Sequence, residues 1–362
     1  MNIIIKIRNF LLVILLLIGI FYPVTALTRT ISDSNDNYYT FIRNTKGKIW
    51  EPTGANLQAA INDIGADGGT VYVGSDITLT NSLALKNFCI VDFLGNTVTL
   101  QNNKPFINIS YSLDYSTVRN VNVIVSDGQS SPVIYFYSPA GSAKLVVRHN
   151  SFENMYIKNP SPLNAKGEWT EHNYTGIAYL WEGPLAGSTA GSTCLCNFFN
   201  NIYMEGPKVG ILFGHYATSN DYPYMHNVTH WINGEYYKNI YIDQFESAVL
   251  FNTTHIRLCN EIVFNNLIAK TASYSRYGIM NISRAAPIFI GGVIDWYKAE
   301  NPVALFSTDK QWDYKENGYA VTYGLYVDWR APYNATYMTD IGTTIYNYNF
   351  LIADGVIKWK RP

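Results

Sequence analysis

The sequence predicts an all-β solenoid built from short strands and closed at its N-terminal end by one short amphipathic helix. Three observations predict it. Between Val71 and Leu100 apolar alternations recur as Val71/Val73, Ile77/Leu79, Leu83/Leu85, Ile90/Phe93 and Val98/Leu100, separated by Gly, Asn, Asp or Ser. That is the pattern of short, half-buried strands. Beyond residue 65 no stretch places its apolar residues at helical spacing. Third, the pattern apolar-x-Asn-apolar-x-apolar occurs eight times, against roughly four expected from composition.

The 362 residues are 48% apolar and 15% charged, with a formal net charge of −1. Such a chain can bury a sizeable core and is not intrinsically disordered. No Lys/Arg-rich run is present, which argues against nucleic acid or an anionic membrane surface as the main partner. The 29 Tyr, 17 Phe and 8 Trp favour β structure and polar-rimmed faces, since Tyr joins an apolar ring to a wet tip.

Residues 1–26 read as a cleaved secretory signal peptide. Lys6 and Arg8 precede an apolar run from Phe10 to Tyr22, and Val24-Thr25-Ala26 supplies the small-residue cleavage site. The competing reading is an uncleaved anchor, but as a helix that run spans only about 20 Å of a ~30 Å hydrocarbon core. The expectation is a secreted or surface-exposed protein with no stable membrane insertion after cleavage. Residues 27–50 are polar and unpatterned and read as a flexible leader.

Leu57, Ala60, Ile61 and Ile64 fall at i, i+3, i+4 and i+7, one face of a helix. Asn56 can cap its start and Gly65 can end it. Asp67-Gly68-Gly69 then gives the backbone freedom for a sharp turn into Thr70-Val71-Tyr72-Val73. No Gly-Lys-Ser/Thr follows, so this is a turn and not a phosphate cradle.

The eight Asn-centred repeats are "LKNFCI", "FINISY", "VRNVNV", "FENMYI", "FNNIYM", "YKNIYI", "FNNLIA" and "IYNYNF", with several gaps between about 20 and 40 residues, the range of solenoid repeats. Asn at a corner tolerates left-handed backbone angles, and its amide can hydrogen-bond its counterpart on the next rung. Helix, Gly-Gly, strand and Asn-cornered repeats together resemble the pectin-lyase-like right-handed parallel β-helix, with "NLQAAINDIGADGGTVYV" as the most specific match. The resemblance implies a single-stranded right-handed parallel β-helix over residues 51–300, with insertions at 159–193 and 214–237. Residues 301–362 would form final rungs, a C-terminal cap or an assembly segment.

Polysaccharide lyases and hydrolases of that family use clustered carboxylates in an outer groove. The chain lacks the family's Asn-Thr-Asp, Asp-Asp, Gly-His-Gly and Arg-Ile-Lys set, so catalytic residues do not carry over. In the second insertion and just beyond it, His215, Asp221, Glu235 and Asp243 are the candidates for acid–base chemistry. His226 and His230 have metal-like spacing only if that loop is helical, and a glycan on Asn227 would compete with a metal there. A solvated polar loop is the plain alternative. In the first insertion Trp169, Glu171, His172, Trp181 and Glu182 combine aromatic faces with carboxylates, the means by which proteins grip sugars; packing of the rings onto the core is the plain alternative.

Four cysteines, Cys89, Cys194, Cys196 and Cys259, allow two disulfides in an oxidising compartment. Buried thiols are the equal alternative, and on one strand Cys194 and Cys196 would share a face, poorly placed to bond each other. The sequons Asn108, Asn173, Asn227, Asn252, Asn281 and Asn334 are glycosylation candidates, in a number that composition alone explains. The function expected is non-enzymatic glycan binding or adhesion, in a virion or cell-surface fibre that the resemblance implies could be a homotrimer. The alternative is a divergent lyase or glycoside hydrolase acting on an acidic polysaccharide. No cofactor is expected, calcium entering only with the lyase alternative.

Overall fold

The computed structural model describes residues 41–138, 144–159, 173–181, 192–215, 231–252, 259–272, 275, 277–281, 287–295, 304–308, 321–323, 325–328, 352–353 and 356–357. The described residues are all-β with one helix, α1 (Gly54–Ile64). The strands form a long 16-stranded sheet, a seven-stranded sheet and a five-stranded sheet.

From Thr117 onward the chain visits the three sheets in rotation. Thr117–Ile124 lies in the long sheet, Ile134–Ser138 in the seven-stranded sheet and Val146–Arg148 in the five-stranded one. The next round repeats this with Ser151–Lys158, Thr175–Trp181 and Thr193–Leu195, and the following one with Phe198–Glu205, Val209–His215 and Trp231–Asn233. Each round pairs in parallel with the one before, without slippage: Phe152 opposite Val118, Phe199 opposite Phe152, Tyr237 opposite Phe199. Val118, Phe152, Phe199, Tyr237, Phe264 and Phe289 are all buried. From Phe152 to Phe289 the rings stack at 5.1, 4.7, 4.8 and 4.9 Å between centroids. A second buried column, Phe136, Tyr179, Phe213 and Phe251, stacks at 4.5, 5.0 and 4.7 Å. Stacked rings one strand spacing apart satisfy both ring packing and strand pairing.

Helix α1 buries Leu57, Ala60, Ile61 and Ile64, the face its periodicity predicts. Its cap is one correction. Thr53 is the N-cap, in extended conformation, and its hydroxyl accepts from the Asn56 backbone N–H at 3.2 Å, so Asn56 is the capped residue. Gly65 ends the helix at φ 73°. The following turn demands glycine: at Gly68 (φ 77°) a Cβ would lie 2.7 Å from the Phe88 carbonyl oxygen, and at Gly69 2.5 Å from Thr45 Oγ1.

The leader also differs from expectation. Ile42–Asn44 pairs antiparallel with both Ile49–Trp50 and Gly69–Val73, and Ile42 and Asn44 are fully buried. Alternation is too short there to announce a strand. Residues 1–40 lie outside the described residues; among those described, no helix is long and apolar enough to cross a membrane.

Five of the eight Asn-centred repeats bend at their asparagine. Asn120, Asn154, Asn201, Asn239 and Asn266 have φ of 57°, 51°, 54°, 52° and 63°. Each later amide donates to the earlier one: Asn154 to Asn120 at 3.0 Å, Asn201 to Asn154 at 3.0 Å, Asn239 to Asn201 at 2.9 Å, Asn266 to Asn239 at 3.0 Å. The ladder begins on Asp92, whose Oδ1 accepts from Asn120 at 3.0 Å while its Oδ2 pairs with Arg119 at 2.9 Å. Asn87 and Asn108 take no part, Asn108 lying mid-strand in Ile107–Ile109. The "IYNYNF" repeat lies outside the described residues.

A second corner follows the five-stranded sheet. Phe88, Tyr115, His149, Cys196, Gly234 and Glu261 all have positive φ. The Phe88, Tyr115 and His149 rings stack there at 5.5 and 4.7 Å, and all but Gly234 stand exposed. This corner corrects the reading of Cys194 and Cys196. Cys194 is buried, whereas Cys196 lies past the strand end in a left-handed conformation that turns it outward. Cys89, Cys194 and Cys196 are free thiols. Cys259 sits two rungs from Cys194, with Ile232 between; at ~4.8 Å per rung the two lie beyond disulfide reach.

Both insertions are shorter than they read. Thr175–Trp181 within the first, and Trp231–Asn233 and the start of Tyr236–Asp243 within the second, are strands of the stack.

Candidate functional site: an outward row of tyrosines and charges

In the long sheet every strand from Ser151–Lys158 to Val263–Lys270 bends at its asparagine, then alternates again. The second residue after the asparagine points outward, and so does the fourth. In register these positions read Tyr156, Tyr203, Tyr241 and Ile268, and beside them Lys158, Glu205, Asp243, Lys270 and Asp295.

The tyrosines are partly buried and touch one another. Tyr156 meets Tyr203 edge-on at 4.8 Å, and Tyr203 stacks on Tyr241 at 4.6 Å. Each of the first two hydroxyls donates to the carboxylate of the following rung: Tyr156 to Glu205 Oε2 at 2.6 Å, Tyr203 to Asp243 Oδ2 at 3.1 Å. Lysines flank the row, with Lys158 Nζ 5.7 Å from the Tyr156 ring centre and Lys270 Nζ 5.2 Å from that of Tyr241. Burial, then the Glu205 carboxylate, pushes the Tyr156 hydroxyl up to about 12. Burial and Asp243 push Tyr203 up further. The Lys270 ammonium is raised by its hydrogen bond to Tyr241. Both titrating tyrosines therefore stay neutral donors across the physiological range, and the row offers ring surface, two fixed carboxylates and two cations in about four rungs, roughly 15–20 Å. Beneath it, buried Tyr174 donates to the Glu205 backbone carbonyl.

The residues singled out from sequence meet different fates. Trp169, Glu171, His172, Glu182, Asp221, His226, His230, Asn227 and Asn334 lie outside the described residues. Trp181 and His215 become neighbours, opposite each other at the ends of adjacent strands in the seven-stranded sheet. Asp243 joins the tyrosine row. Glu235 is corrected as an acid–base candidate: it is fully buried, accepting from Tyr179 at 2.7 Å and from the Asn197 amide at 2.9 Å, out of reach of a substrate in an outer groove. Tyr174 and Tyr179, from the first insertion, are likewise core residues. Among the sequons, Asn173 is exposed ahead of its strand, while Asn252 and Asn281 end strands of the seven-stranded sheet. Asn281 occupies the register position next to Phe251 of the aromatic column, and Asn108 pairs with Tyr135 from the end strand of the same sheet. Among the described residues, no three His, Cys, Asp or Glu side chains are placed to share a metal ion.

Sequence reasoning missed Tyr156, Tyr203, Glu205, Lys158 and Lys270. Their signal lies in the same repeats, one step further on: "NMYIK", "NIYME" and "NIYID" place Tyr two residues after Asn, and these three and "NLIAK" place a charge four residues after it. Aligning the repeats on the asparagine exposes the column.

No protein-family model matches the chain, and no curated protein or solved structure resembles it significantly.

Proposed function

We propose that the protein is a secreted or surface-exposed right-handed parallel β-helix of the pectin-lyase-like kind that binds carbohydrate along the outward row of the long sheet. The observation that carries this reading is the run Tyr156–Tyr203–Tyr241 with Glu205 and Asp243 held against it. Aromatic surface takes up the C–H faces of a sugar, and carboxylates accept from its hydroxyls. Repetition at one strand spacing suits an extended glycan better than a compact ligand, since three successive rungs present a Tyr ring with a charged side chain beside it.

The test is a glycan array probed with the mature chain, with Tyr241→Ala, and with Tyr241→Phe. Tyr241→Ala is expected to lower affinity at least tenfold, about 1.4 kcal/mol, and Tyr241→Phe to keep most of it because the ring remains. A wild-type chain that binds no glycan, or an alanine variant that binds as well as wild type, overturns the proposal. Release of reducing ends or unsaturated uronate in the same incubations would place the protein among the lyases or hydrolases instead.

A further inference from the structure

Inside the stack a second polar column runs where apolar residues would be expected. Asn150, Asn197 and Glu235 follow one another at the inward position after the second corner, and all are fully buried. The Ser116 backbone N–H donates to Asn150 Oδ1 at 2.9 Å, Asn150 Nδ2 to Asn197 Oδ1 at 2.9 Å, and Asn197 Nδ2 to Glu235 Oε1 at 2.9 Å. From the seven-stranded sheet Tyr179 reaches Glu235 Oε2 at 2.7 Å, and Tyr237 reaches Tyr179 at 2.8 Å. At the next rung the column ends on apolar Ile262.

The groups facing Glu235 can be named element by element. Tyr179 comes from Thr175–Trp181, Cys194 from Thr193–Leu195, and Tyr237 from its own strand, Tyr236–Asp243; Asn150 and Asn197 are uncharged. Cys259 holds the register position one rung beyond Ile232. No cation among the described residues contributes to this environment. A lone carboxylate fully removed from water with no counter-charge strongly favours taking up a proton. Its hydrogen-bond donors oppose that, but burial dominates and pushes the carboxyl up from 4.5 to about 7.

We propose that Glu235 is a proton-operated latch in the core, holding the central rungs tightest when neutral and loosening them when ionised. On protonation a proton from solvent binds Oε2, which becomes a donor to Tyr179 Oη. The Tyr179 hydroxyl hydrogen swings from Glu235 to the Tyr237 oxygen, and the Tyr237 hydroxyl hydrogen that held this contact before turns out of it, so the two tyrosine oxygens stay in contact with the direction reversed. The sign follows from linkage. The folded carboxyl sits above its unfolded value, so the stabilisation is fully present below about 4.5 and lost as pH rises through about 7.

The experiment is thermal unfolding of the mature chain at matched scan rates from pH 5 to pH 8.5, for wild type and Glu235→Gln. The wild-type midpoint is expected to fall by about 5 °C or more over that range. The Glu235→Gln profile is expected to be flatter by that amount, with the variant ahead of wild type at pH 8.5. Parallel profiles overturn the proposal. Because the variant could fail to fold, an infrared titration of the wild-type chain supplies an independent reading. A protonated-carboxyl stretch from a buried group should be present at pH 5 and vanish around pH 7; its absence at pH 5 overturns the latch.

Discussion

A single asparagine in the corner of each rung has two duties, and they can be separated experimentally. Asn201 sits at φ 54° and both donates to and accepts from its neighbours in the ladder. Glycine keeps the left-handed backbone but loses the amide, whereas alanine loses both. Asn201→Gly is expected to cost about 1–2 kcal/mol for two hydrogen bonds, and Asn201→Ala about 1–2 kcal/mol more for the strained backbone. Equal costs in denaturant unfolding would mean that the ladder amides, and not the left-handed corner, set the asparagine. That asparagine belongs at corners was legible in the sequence, because its tolerance of left-handed angles is intrinsic to the residue. Which asparagines do so was not: "FINISY" fits the pattern, yet Asn108 lies in a straight strand. The pattern fixes apolar spacing but not where the backbone bends.

Among elements, α1 was the most legible, since a periodic apolar face and a glycine stop are local signals. Its cap was misplaced by three residues, because Thr53 and Asn56 are both capping types and only backbone geometry separates them. Thr53→Ala should cost about 1 kcal/mol, read as a lower unfolding midpoint, whereas Asn56→Ala should cost less, its side chain reaching only the Glu51 carbonyl. A larger loss at Asn56 would contradict the assignment. The Ile42–Asn44 strand was illegible for the opposite reason. A three-residue strand lying between Ile49–Trp50 and Gly69–Val73 owes its place to pairing with Gly69–Val73, a contact that leaves no local trace. The candidate site lies between these cases: each tyrosine is unremarkable in its own strand, and only vertical registration makes a row of them.

At the scale of the whole molecule each rung rests mainly on the rungs beside it, so protection should be graded along the stack. Hydrogen exchange is expected to be slowest in the strands from Ser151–Lys158 to Val263–Lys270, where both aromatic columns and the asparagine ladder coincide, and faster at Ile42–Asn44. Uniform protection from end to end would instead mark a single all-or-none unit. The two amide columns add a property that no one rung possesses. Along the corner ladder each Asn Nδ2–H points toward earlier rungs, and the series ends on Asp92; along the inner column it points toward later rungs, and the series ends on Glu235. Each is a row of aligned amide dipoles with its positive pole set against a carboxylate, as an acidic residue is set at the start of a helix. The rows run in opposite senses, so their fields partly cancel along the axis while each terminus keeps its anion. The two ends differ in one respect: Asp92 also has Arg119 beside it, whereas among the described residues Glu235 has dipoles alone, and it is there that a proton does the work of a cation.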